Sequence, residues 1–197
     1  MSLAATQAAK IELRRGALAT RAAVFAARGP AAAAALAKQV ETMLGAVPPA
    51  IIAGYWPIGS ELDCRPALAR LHAAGHALAL PVAGQRGDRL VFRRWAPGEP
   101  LEQGPFGTFH PLPSAAVAEA DIVLVPLLAF DRRGHRLGYG AAYYDRTLNG
   151  LRAGRTITAW GLAFDEQEID QVPAEPTDAR LDGVITDKRL LRFALSR

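Results

Sequence analysis

Residues 130–146 read FDRRGHRLGYGAAYYDR. Gly138 and Gly140 flank Tyr139; Arg136 and Leu137 precede them, and Ala141, Ala142, Tyr143, Tyr144 and Asp145 follow. The stretch comes directly after DIVLVPLLA, an apolar run that reads as a buried strand. Glycines at the end of a strand let backbone approach a ligand. A helix opening near Gly140 would offer unpaired N–H groups and the positive end of its dipole to an anion. Arg136 could clamp a phosphate oxygen. Asp145, in the first turns of that helix, could hold a divalent cation beside the phosphate, since Mg²⁺ takes one or two carboxylates together with phosphate oxygens. A purely structural reading competes. DRRG at 131–134 has the Asp and Gly of a type I turn, and the two tyrosines could simply pack under the loop. The pattern is neither a P-loop nor a dinucleotide fingerprint, because the Gly-Lys-Ser/Thr ending is absent and Tyr143 stands at the third glycine position.

The elements that must position this stretch follow from periodicity and punctuation. Helical pattern runs from about residue 4 to 27, stops at RGP (28–30), and resumes over 31–44 through an alanine run. AIIAGYW (50–56) reads as a strand. A helix starts near Arg65, with Asp63 as its N-cap and Pro66 early in it. Strands follow at 77–81 and 90–95. A long Pro/Gly loop spans 96–114, and a short helix with a core strand is expected in AAVAEADIVLVP. A helix is expected from about Gly140 to Leu151, then strands at 156–164 and 182–187. Apolar strands separated by helices predict an α/β layered sandwich, Rossmann-like, with a largely parallel, mixed sheet and helices on both faces. In such sheets ligands bind beyond the carboxyl ends of the strands. No repeat or linker divides the chain, so one domain over 1–197 is expected.

Composition sets the boundaries of function. The chain has 197 residues, half of them hydrophobic, enough for one sizeable core. Net charge is +4, and three lysines leave arginine as the dominant cation. That excess suits an anionic small ligand or nucleic acid, and equally reflects an Ala- and Arg-rich genome. No aromatic-basic platform or recognition-helix motif supports nucleic acid. The lone Cys64 fits a reducing compartment. His72, His76, His110 and His135 lack metal spacing. No apolar run reaches membrane-spanning length. The Ala/Arg-rich first 29 residues, with one acid, have the composition of a transit peptide and also of an ordinary helix.

VPLLAFDRRGHRLGYGAAYYDR resembles the signature of the 5-formyltetrahydrofolate cyclo-ligase family, P-x-x-x-F-D-x-x-G-x-R-L-G-x-G-x-G-Y-Y-D-R. The resemblance extends in order through Lys10 and Arg14 (K-x-x-x-R), YWPIGSELD (55–63), FRRW (92–95) and GLAFDEQEIDQVPAEPTDARLDGVIT (161–186). It implies an ATP- and Mg²⁺-dependent ligase that converts 5-formyltetrahydrofolate to 5,10-methenyltetrahydrofolate with release of ADP and phosphate. It implies Lys10, Arg14 and the segment from Arg136 to Tyr144 as ATP contacts, with Arg136 the charge partner of the transferring phosphoryl group. Asp145 and Asp178 resemble magnesium ligands, Glu61 the folate-contacting carboxylate, and Trp56 a substrate-wall residue. Phe106, Gly107 and Tyr139 are further pocket-lining candidates. The expected partners are ATP and the folate, with or without a polyglutamate tail. A cytoplasmic monomer is expected, without nucleic acid or membrane. Arg136→Ala and Asp145→Ala are expected to remove activity without unfolding the protein.

The sequence departs from the family where G-x-G-x-G-Y becomes Gly138-Tyr139-Gly140-Ala141-Ala142-Tyr143. At position 142 an alanine is costly if φ is positive and welcome if the helix has already begun. The intact YYDR predicts the second case. A catalytically impaired nucleotide- or folate-binding relative is the alternative those alanines leave open. His110 and Pro176-Thr177 also replace residues common in the family.

Overall fold

The computed structural model describes residues 3–194, except for the side chains of Leu3 and Phe106. Helix α1 (Leu3–Leu44) is two arms joined at a kink, where Arg28 leaves helical geometry at φ −153°. The cause is Pro30, which removes an N–H and crowds the preceding turn. The expected break at RGP is therefore a bend within one long helix. The second arm buries Ala32, Ala33, Leu36, Ala37, Val40 and Leu44. The first arm projects beyond that core.

The sheet contains β1 (Ile51–Ala53), β2 (Ala77–Val82), β3 (Val91–Arg94), β6 (Ile122–Pro126), β9 (Thr158–Ala163), β10 (Gly183–Thr186) and β11 (Leu190–Arg192), in the order β11-β10-β9-β6-β1-β2-β3. The five inner strands are parallel, and β3 and β11 run antiparallel at the two edges. Two short hairpins sit outside it: β4 (Leu101–Gln103) with β5 (Phe109–Pro111), and β7 (Ala129–Phe130) with β8 (Arg136–Leu137). Alternate residues along the strands point to opposite faces. On one face Ile52, Leu78, Leu80, Leu124, Leu162 and Ile185 meet the second arm of α1 and helix α2 (Arg65–Ala73). On the other, Val123, Val125, Ala159, Ala163 and Val184 meet helix α3 (Tyr143–Gly154) through Leu148 and Leu151. No helix among the described residues is long and apolar enough to cross a membrane.

Two local expectations fail. Residues 115–121 are not helical; they lie extended beside β3, with Arg94 N–H donating to Ala116 O at 2.8 Å and Ala118 N–H to Phe92 O at 2.9 Å. The unpaired groups of an edge strand outcompete a short alanine-rich helix, which is marginal by itself. The loop 96–114 contains the β4–β5 hairpin.

The topology fixes where a ligand can sit. From β1 the chain passes through α2 to β2; from β6 it passes through α3, on the opposite face, to β9. Strands β1 and β6 are parallel neighbours. The chain turns away in opposite directions from them, so a crevice opens beyond their carboxyl ends. The two loops that border it are 54–64 and 127–142.

Candidate functional site

The second of these loops begins with the β7–β8 hairpin. Gly134 N–H donates to Asp131 O at 3.1 Å, closing the expected turn, and Gly134 takes φ +83°. The buried Asp131 carboxylate accepts the N–H groups of Arg133 (2.9 Å), His135 (3.1 Å) and Val172 (3.0 Å). Burial pushes its pKa up, but Arg133 and these N–H groups outweigh burial and hold it below the usual range. Asp131 is thus a turn-builder.

Beyond the hairpin, Gly140 has φ +99° and Ala142 φ +54°, ψ +23°; Ala142 is the only non-glycine with positive φ among the described residues. Helix α3 starts at Tyr143, three residues later than expected, and Ala142 stands before it in the left-handed region without a side-chain cap. The expectation that position 142 is already helical is therefore overturned. The chain must reverse to enter α3, and it does so in the conformation a glycine would take freely. An L-residue there costs about 1 kcal/mol. Ala142→Gly is expected to raise the melting temperature by about 2–4 °C, read by differential scanning calorimetry. An unchanged or lower value would remove the strain argument.

The first arm of α1 lies over this loop. Arg14 Nε donates to Gly138 O at 2.9 Å, and a Cβ on Gly140 would come within 3.2 Å of the Arg14 guanidinium carbon. Lys10 Nζ donates to Asp178 Oδ2 at 2.6 Å and lies 3.6 Å from Glu175. Four residues apart, Lys10 and Arg14 share the face that meets the loop, as their spacing predicts.

Arg136 is placed differently from the expectation of a free clamp. Its side chain is 5% exposed; one terminal nitrogen donates to Asp145 Oδ1 at 2.7 Å and the other to Ala179 O. Ala179 N–H donates to the same Asp145 oxygen at 3.0 Å. Arg136 and Asp145 thus fasten the 175–180 segment to the start of α3. Burial pulls the Arg136 guanidinium down from its ordinary value, while Asp145 and Asp178 oppose it. Asp145 and Asp178 both act on this one guanidinium, and each uses a single oxygen in the contacts above. Asp145 Oδ2 and Asp178 Oδ1 have no hydrogen bond among the described residues. No cluster of three or more His, Cys, Asp or Glu able to hold a metal occurs among them either. Each carboxylate thus keeps one oxygen of the donor type Mg²⁺ takes, while its other oxygen is ion-paired, Asp145 with Arg136 and Asp178 with Lys10.

The first loop supplies Glu61 and Trp56. Glu61 is 4% exposed and accepts Ile58 N–H at 2.9 Å. Burial pushes its pKa up to about 7; the Ile58 N–H, the Arg21 charge and the Tyr139 hydroxyl pull the other way. The folded state therefore favours the neutral acid. That preference is fully present below the ordinary Glu value and is lost as pH rises to about 7. The loss is about 3 kcal/mol. Melting of Glu61→Gln across this window is expected to be flatter with pH than that of the parent; parallel curves would refute the buried-acid account. Trp56 packs edge-on to Trp95, with ring centroids 6.0 Å apart, and 6.1 Å from Phe109; the Arg65 guanidinium lies 5.1 Å above its ring. It is a wall built from several elements. Exposed Tyr139 reaches from the second loop toward Glu61, and Gly107 lies in the exposed tip of the β4–β5 hairpin. The side chain of Phe106 falls outside the described residues.

Sequence reasoning missed Arg21. It is 1% exposed and bridges the two loops. Its spacing from Lys10 and Arg14 continues one helical face, which was the available signal. A hollow of about 640 Å³ on another flank of the first arm, lined by Ala9, Leu13, Ala17, Ile169 and Pro173 among others, contains none of the expected site residues.

A doubly wound α/β sheet with a glycine loop and a helix N-terminus at its switch point is the architecture of nucleotide-handling enzymes. The profile of the 5-formyltetrahydrofolate cyclo-ligase family matches residues 6–187, and the chain belongs to that family. A 5-formyltetrahydrofolate cyclo-ligase of Mycolicibacterium smegmatis is 38% identical over 148 residues, covering 70% of this chain and 74% of the relative. The Escherichia coli K12 protein of the same name is 29% identical over 167 residues, covering 79% and 90%. Among solved structures, Aquifex aeolicus 5,10-methenyltetrahydrofolate synthetase superposes with a TM-score of 0.73 at 27% identity, covering 95% of this chain and 94% of that one. The synthetase of Mycoplasma pneumoniae superposes with a TM-score of 0.71 at 23% identity, covering 90% and 98%, and supports the fold.

Proposed function

We propose that the chain, as one domain over 1–197, catalyses ATP-dependent closure of 5-formyltetrahydrofolate to 5,10-methenyltetrahydrofolate. The observation that carries this reading is the family's signature segment lying at the sheet's switch point, beneath a separate cationic helix. The formyl oxygen attacks the γ-phosphorus of ATP, and the bond to ADP breaks. The neighbouring folate nitrogen then attacks the activated formyl carbon and loses its proton, and the carbon–oxygen bond breaks to release phosphate. An amide-like oxygen leaves only after phosphorylation, so catalysis is positioning and charge neutralisation.

In this reading residues 136–144 and the first N–H groups of α3 cradle the triphosphate, while Lys10 and Arg14 close over it. Arg136 faces the transferring phosphoryl group by exchanging its contact with Ala179 or Asp145. The buried Glu61 carboxyl, which accepts Ile58 N–H beside Arg21 and Tyr139, suits the amino and ring N–H groups of the pterin. Trp56 offers a flat wall for it. Asp145 and Asp178 would hold Mg²⁺ through their open oxygens. Mg²⁺ held there would neutralise phosphate charge. The partners are small molecules, the folate with or without its polyglutamate tail and ATP. The enzyme acts as a cytoplasmic monomer without nucleic acid or membrane. The strain at Ala142 is small beside the binding energy of a triphosphate, so it does not argue for an impaired relative.

Turnover is followed by the near-ultraviolet absorbance of the methenyl product. Product is expected only when ATP and Mg²⁺ are both present. A folded protein with no turnover would reject the proposal.

A further inference from the structure

Arg21 is the largest fully buried side chain among the described residues. A guanidinium with so little solvent is unfavourable unless its donors are used. Its Nε donates to Ser60 Oγ at 3.2 Å, Nη1 to Leu127 O at 3.3 Å, and Nη2 to the Tyr139 hydroxyl. The Glu61 carboxylate lies 3.9 Å from Nη1. One planar fork from α1 therefore holds the loop after β1, the chain leaving β6 and the glycine loop together. The titratable groups acting with Glu61 are Tyr139 from the glycine loop, Tyr144 from α3, and Tyr55 and Cys64 from its own loop. Among the described residues, Arg21 is the cation whose charge acts on Glu61.

We propose that Arg21 is a positioning residue for the folate half of the reaction, keeping Glu61 available as an anionic acceptor and locking Tyr139 and the glycine loop against the loop that carries Glu61. This rests on the cyclo-ligase reading for its ligand but not for its electrostatics. At 3.9 Å, without a direct hydrogen bond, Arg21 acts on Glu61 through its charge. With Tyr139, it acts through a directed bond that only a fork of fixed geometry can combine with the bonds to Ser60 and Leu127. Because the same side chain touches both loops, the folate wall and the phosphate loop cannot move independently while Arg21 is in place.

The test has two arms. In the first, no ligand is present, and melting of the parent, Arg21→Met, Glu61→Gln and the double variant is followed from about pH 5 to about pH 9. The stability inflection that belongs to Glu61 is expected to move up by about one pH unit or more in Arg21→Met. It is expected to be absent from both proteins that carry Glu61→Gln. In the second arm, the affinity for 5-formyltetrahydrofolate without ATP is measured over the same range. Arg21→Met is expected to bind about a hundredfold more weakly near neutral pH and to recover toward about pH 9 to the roughly tenfold loss that the missing fork alone causes. An inflection that stays in place, with affinity lowered equally at every pH, would make Arg21 merely structural and overturn the proposal. If Arg21→Met does not fold, Arg21→Lys decides. It keeps the charge and so the inflection, but it loses the fork and so about tenfold in folate affinity. Parent-like folate affinity in Arg21→Lys would equally overturn the proposal. A parent protein that melts as expected but binds no folate would sink the functional reading and leave the Arg21–Glu61 coupling standing.

Discussion

Arg136→Ala is expected to lower kcat by about three orders of magnitude, the scale set by loss of a positioned cation in phosphoryl transfer. The sequence alone predicts an inactive but fully stable protein. The structure alters the second half. Arg136 is 5% exposed and joins Asp145 to Ala179 O, so its removal leaves a carboxylate without its cation. A fully buried pair broken on one side costs about 3–5 kcal/mol. Asp145 keeps 22% exposure and still accepts Ala179 N–H, so roughly 2–3 kcal/mol is the expected cost here. Turnover should therefore be compared at a temperature where calorimetry finds both proteins folded. Arg136→Lys restores charge without the fork and should recover part of kcat while leaving the 175–180 segment loosened. A kcat for Arg136→Ala within tenfold of the parent, in folded protein, would strip Arg136 of its proposed catalytic role and leave it structural.

Asp145→Asn is expected to lower turnover by at least about a hundredfold and to raise the Mg²⁺ concentration needed for half-maximal rate by tenfold or more. Asparagine keeps an oxygen that can accept from Ala179 and Arg136, so the shape of the segment survives and the change is one of charge. What is lost is one of the two carboxylates with an open oxygen. The readout is a Mg²⁺ titration of rate at saturating ATP, with a chelator to define zero. Asp178→Asn makes an informative companion, because Asp178 also neutralises Lys10 at 2.6 Å. It should move both the Mg²⁺ midpoint and the KM for ATP. An unchanged Mg²⁺ midpoint in Asp145→Asn would remove Asp145 from the proposed metal site.

Much of the fold is legible in the chain. Short apolar runs bounded by Gly and Pro become the parallel strands, and RGP marks the kink in α1. The turn at 131–134 forms as its Asp and Gly predict, because turn chemistry is local. Misreadings concentrate where a distant partner decides. Residues 115–121 have helical composition but lie against the edge of β3, whose open hydrogen-bonding groups are invisible from those residues alone. Position 142 is another case. Whether an alanine before YYDR is helical or left-handed depends on the direction from which the chain arrives, and the β7–β8 hairpin sets that direction.

By itself the sequence determined the class of sheet, the glycine loop after β6, the family signature, and the pairing of Lys10 and Arg14 on one helical face. These rest on periodicity, turn residues and short spacings, which are properties of neighbouring positions. Only the tertiary structure decided that Arg136 is buried against Asp145, that Glu61 lies in a site dry enough to hold its proton to about pH 7, and that Arg21 joins the two loops. Arg21 meets Tyr139 across 118 positions, Arg14 meets Gly138 across 124, and Lys10 meets Asp178 across 168. Burial and charge pairing over such separations are set by how α1 crosses the sheet's carboxyl edge, and no local pattern records that crossing.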